Sequence, residues 1–131
     1  MREPVRTSAV AIAFGAFMLC TETCLHAESI LHARTEWADL PIHDWLAGGF
    51  LIAAGVASKR DWPQRVVFQA AAWAFMLSLL VRALFAWIEE WVTPPDASEW
   101  GISESGFVVI VAVLAVVALA SLIFTVRTRQ P

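Results

Sequence analysis

Four apolar stretches alternate with short charged ones along this chain. A helix crossing a bilayer needs about 20 mostly apolar residues at 1.5 Å rise each. Residues 5–26, 41–58, 66–92 and 106–126 meet or approach that length. The last carries no charge and is the strongest candidate. The second is the weakest, because only Trp45 to Ala57 is strictly apolar, a length that also fits a re-entrant segment. Pro41 suits a helix start, and Lys59-Arg60 marks the far end. Thr93-Pro94-Pro95 stops the third helix. Asp96-Ala97-Ser98-Glu99 has capping-box spacing, and Ser105 is placed to cap the fourth helix. The pattern predicts an all-α fold, a four-helix transmembrane bundle forming one domain over residues 1–131.

Charge then assigns sidedness. Arg2 and Arg6, then Lys59, Arg60 and Arg65, then Arg127 and Arg129 alternate with Glu28, Glu36 and Asp39, and with Asp96, Glu99 and Glu104. Lys and Arg collect on the cytoplasmic side, so both termini are expected inside a cell membrane. Trp37, Trp45, Trp62, Trp87, Trp91 and Trp100 fall near the expected interfaces, as an aromatic belt requires. A cleaved leader over residues 1–27 is the weaker alternative, because Leu25-His26-Ala27 lacks the small residue needed before cleavage. The 27–40 segment reads as a continuation of the first helix or a short surface helix.

Composition agrees with the pattern. The 131 residues are 59% hydrophobic and 16% charged, whereas soluble domains run near 45–50% and about 25%. A net charge of −3 argues against nucleic acid as a partner. The expected partners are the lipid bilayer and a homo-oligomer or larger membrane complex.

Candidate chemistry rests on the few ionisable groups inside the spans. Glu22 and Arg82 each lie about 16 residues from the cytoplasmic start of a helix running outward, roughly 24 Å up at 1.5 Å per residue. Intramembrane charges usually face the bundle and pair. On the first helix Ser8, Ala11, Gly15, Met18, Glu22 and His26 share a stripe; on the third, Ala71, Phe75, Ser78, Arg82 and Glu89 do. Glu22 and Arg82 are therefore expected to face each other, as a structural pair or a proton or ion relay. Cys20 and Cys24, one turn apart, together with His26, His32, His43 and Asp44, crowd the outer end of the first hairpin. Thiolates, imidazoles and carboxylates can hold zinc, copper or iron, and His26 with His43 could hold a haem. The plainer reading makes these residues interfacial caps. In the second helix Gly49, Ala53 and Ala57 form a small-residue ladder suited to close packing or dimerisation.

No catalytic triad, phosphate loop or nucleotide motif is present, so the expected protein is non-enzymatic. An accessory or scaffold subunit comes first. A small oligomeric transporter or channel using Glu22 and Arg82 is one alternative, and a metal- or haem-binding membrane protein is the other.

Overall fold

The computed structural model describes residues 3–31, 41–60, 62–90 and 104–127. Over these the chain is all helix: α1 (Glu3–Leu25), α2 (Ala27–Leu31), α3 (Ile42–Ser58), α4 (Arg65–Glu90) and α5 (Glu104–Arg127). Thr7–Leu25, Arg65–Ala86 and Gly106–Arg127 are long and apolar enough to cross a membrane; α3, at 17 residues, is shorter. The expected four helices are all there, with ends within one or two residues of the pattern's boundaries. The last begins at Glu104 rather than after a cap at Ser105. The first helix does continue, through a turn at His26 where His26 N–H donates to the Glu22 carbonyl at 3.1 Å, into α2. His32, residues 32–40 and 91–103, and the Asp96–Glu99 capping box lie outside the described residues.

The four long helices run alternately up and down. The C-terminus of α1, the N-terminus of α3, the C-terminal half of α4 and the N-terminal half of α5 share one end, called the upper end below. The strongest packing is α1 on α3, then α5 on α4, with α3 joined to α4. Between α1 and α5 there is no extended contact. The bundle is thus two antiparallel pairs joined through α3 and α4, with an open seam along α1 and α5.

Small residues set the α1–α3 approach. A Cβ added at Gly15 would sit 2.5 Å from the Gly48 carbonyl oxygen, and one at Gly55 would sit 2.8 Å from that of Ser8. The Ser8 hydroxyl donates to the Gly55 carbonyl at 3.0 Å, so the backbones touch at two levels. The predicted α1 stripe of Ser8, Ala11, Gly15 and Met18 is the buried one. The small-residue ladder of α3 is shifted from its expected place. Ala47, Gly48, Leu51, Ala54, Gly55 and Ser58 are buried, whereas Gly49 has open space beside it and Ala53 is exposed. Gly48 and Gly55 share a face that Gly49 does not, because one residue is about 100° of helix.

The core of α4 is the stripe Gln69, Ala72, Trp73, Met76 and Leu80. The opposite stripe, Ala71, Phe75, Ser78 and Arg82, is exposed. Ser78 and Arg82 therefore lie outside the bundle, whereas Trp73 and Met76 lie inside with the single amide of Gln69. Ser78 satisfies its hydroxyl on the Phe75 carbonyl at 2.7 Å. At the lower end the Ser58 hydroxyl lies 2.8 Å from the Ala54 carbonyl and 3.0 Å from Gln69 Oε1, tying α3 to α4. A tight connection follows, with Arg65 N–H on the Trp62 carbonyl at 3.1 Å and the Trp62 ring edge-on to Phe68.

Candidate functional site

A cavity of about 280 Å³ opens at the upper end, between the α1–α3 pair and the α4–α5 pair. Its walls are apolar: Phe17 and Met18 from α1, Leu80 and Ala83 from α4, Phe107 and Leu114 from α5. One side is polar. Thr21 and Glu22 come from α1, His26 from the turn after it, and Asp44 from the first turn of α3. The local sequence explains the convergence. Glu22 and His26 extend the buried α1 stripe by one and two further turns. Asp44 sits at the N-terminus of α3, where the helix dipole favours a carboxylate. Because α1 and α3 are antiparallel and tightly packed, the end of one meets the start of the other.

The polar groups are unequally committed. Thr21 donates its hydroxyl to the Phe17 carbonyl at 2.8 Å. His26 Nδ1 lies 3.0 Å from the Glu22 carbonyl oxygen and 3.7 Å from Glu22 Oε2. Glu22 is 19% exposed at its side chain, and its contact with His26 is an ion pair when the imidazole is protonated. No Lys or Arg among the described residues lines the cavity.

The expected Glu22–Arg82 pair does not form. Arg82 is on the exposed stripe of α4, while Leu79, Leu80 and Ala83 line the cavity. Equal depth in two helices does not decide which way each side chain turns, and Trp73 and Met76 claim the inward face of α4.

The expected metal ligands are only partly within the described residues, since His32 lies outside them. Among the described residues no three of His, Cys, Asp and Glu come together to hold an ion. Cys20 and Cys24 are free, exposed thiols on the outside of α1. His26 lines the cavity, whereas His43 is exposed and is not among its lining residues.

A second cavity, about 320 Å³, lies at the lower end of the same seam and is lined by Thr7, Val10, Trp73, Ser121, Phe124 and Thr125 among others. Trp73 is fully buried and its indole Nε1 has no partner among the described residues. Sequence reasoning passed over Trp73, because a Trp inside a span carries no motif; its place on the Gln69–Met76 stripe was the available signal.

Compared with known proteins, the chain matches no family, no curated protein and no solved structure.

Proposed function

We propose that this is a non-enzymatic, multi-pass integral membrane protein that binds a small molecule in its upper cavity. Three spans by length and composition, plus the shorter α3 packed between two of them, support insertion as a four-helix unit. The observation that carries the binding reading is the cavity itself. Binding sites in helix bundles form between helices, with apolar walls and a few convergent polar groups. This one has about 280 Å³ of space and three ionisable side chains on one side. The seam between α1 and α5 gives such a molecule a lateral way in from the lipid. Four helices are few for a complete alternating-access carrier, so a transport role would require an oligomer.

The test is mass analysis of the intact protein released gently from its native membrane. A bound small molecule is expected on the parent chain and absent from Ala83→Phe, which fills the cavity from the α4 wall. The same bound-mass increment on both proteins, or none on either, overturns the reading.

A second reading, an accessory or scaffold subunit, is favoured by α5. Its exposed Val109, Val113, Val116 and Ile123 offer an uninterrupted apolar surface to another membrane protein. A stoichiometric second subunit in the purified sample, with no small molecule bound, would support it instead.

A further inference from the structure

The upper cavity also restricts what can occupy it, and this inference rests on the binding reading above. Glu22 and Asp44 reach it from two helices. The cation within ion-pair distance of Glu22 among the described residues is His26, at 3.7 Å, and it carries charge only when protonated. Arg82 is turned outward, Thr21 donates its hydroxyl to the Phe17 carbonyl, and the remaining walls are hydrocarbon or aromatic. Carboxylates between apolar walls are costly unless a positive partner or a proton compensates them.

A bare metal ion is a poor partner here. Calcium takes six to eight oxygens, and transition metals want several ligands held together; no group of three forms among the described residues. A neutral apolar guest would fill the walls and leave the carboxylates to a proton or to protonated His26. An organic cation with a hydrophobic body satisfies both halves. Its apolar part replaces lipid or water against Leu80, Leu114 and Ala83, its charge meets Glu22 and Asp44, and Phe17 and Phe107 supply aromatic rings to the lining, a residue type whose faces attract cations. The lateral seam suits a guest already dissolved in the bilayer. We infer that the upper cavity is a site for hydrophobic organic cations, amines or ammonium ions on an aromatic or branched apolar body.

The experiment uses the full chain in nanodiscs of zwitterionic lipid, so that no anionic surface gathers the probe. Two probes share one aromatic skeleton and differ by an N-methyl group and the charge it brings: a fluorescent N-methyl styrylpyridinium dye and its uncharged styrylpyridine. The cation is expected to bind saturably at one site and the neutral dye at least tenfold more weakly. Glu22→Gln and Asp44→Asn, which keep shape and remove charge, should each weaken the cation at least tenfold and leave the neutral dye unchanged. Ala83→Phe should abolish both. Unchanged far-UV circular dichroism checks that each variant is folded.

Equal binding of the two dyes, both lost in Ala83→Phe, overturns the charge inference and leaves the cavity reading standing. Binding that ignores all three variants is partition into lipid and overturns both. No binding of either dye, while Ala83→Phe still strips a small molecule from the native protein, overturns the cation inference alone.

Discussion

Phe14 of α1 and Trp73 of α4 meet edge to face, with ring centroids 5.3 Å apart and planes at 69°. Trp73 is wholly buried, and Phe14 nearly so. The pair stands in the level between the two cavities, since the upper one begins at Phe17 and the lower one includes Trp73 itself. It bridges α1 and α4, which otherwise touch little. Phe14→Ala would leave a void and remove an aromatic contact. In soluble cores such a truncation costs about 3–5 kcal/mol. Part of that is a water-transfer contribution absent in lipid, so a loss of about 1–3 kcal/mol is expected here, read from reversible unfolding in mixed detergent micelles. Phe14→Leu, which keeps volume without the ring, should lose less than about 1.5 kcal/mol.

The glycines of α3 give a sharper contrast, because Gly48 and Gly49 are adjacent and should respond oppositely. A Cβ at Gly48 would lie 2.9 Å from the Gly15 carbonyl oxygen and 2.9 Å from Leu19 Cγ, while one at Gly49 meets nothing within 4 Å. Gly48→Ala must push α1 away from α3, at a cost typical of overpacking, about 1–3 kcal/mol. Gly49→Ala removes a flexible residue from a helix interior and should be neutral or stabilising by up to about 1 kcal/mol. Equal thermal denaturation midpoints for the two variants would mean that α1 and α3 do not meet at this register.

Gln69 is buried in an otherwise apolar stripe, and its Nε2 has no partner among the described residues, although Oε1 accepts from Ser58 at 3.0 Å. An unsatisfied buried donor costs about 1–3 kcal/mol. Gln69→Met keeps the length and removes both amide groups; Ser58 can still reach the Ala54 carbonyl, 2.8 Å away. The variant is expected to match or exceed the parent in stability. A loss above about 1 kcal/mol would show that the amide has a partner worth keeping.

Arg82 separates what depth can predict from what it cannot. Had it paired with Glu22, its removal would strand a buried carboxylate at about 1–3 kcal/mol. Its place on the exposed stripe with Phe75 and Ser78 predicts instead that Arg82→Leu changes stability by less than about 0.5 kcal/mol, as for other surface positions. Detergent unfolding of Arg82→Leu beside Glu22→Leu checks this, and matching losses would restore the pair.

The helices were legible because twenty-residue apolar runs have few other uses. The α1 packing stripe was legible too, since Ser8, Ala11 and Gly15 are the small residues on one face. The α4 face was not. Its periodicity permits either the stripe through Ser78 and Arg82 or the one through Gln69 and Trp73. A rule that turns polar groups inward selects the first, whereas the bulk of Trp73 and Met76, needed to fill the space between α1 and α4, selects the second. The polar half of the site could be read from the chain, since Glu22, His26 and Asp44 all fall at one end of the first hairpin. Its apolar walls on α4 and α5 could not, because which turns of two distant helices border an opening depends on how far the pairs splay.

Sidedness is the remaining consequence of the charge pattern. Lys59, Arg60, Arg65 and Arg127 lie at the lower end, while Glu22 and Asp44 lie at the upper. Cytoplasmic loops collect basic residues, so the lower end is expected inside. The two native thiols test this, because Cys20 and Cys24 are exposed near the upper end and make no disulfide. A membrane-impermeant thiol reagent added to intact cells should label Cys24, closer to the helix end, faster than Cys20. In a background with both changed to Ser, Arg60→Cys should label after the membrane is opened. Labelling of Arg60→Cys in sealed cells, with Cys24 protected, would invert the bundle and place the upper cavity on the cytoplasmic side.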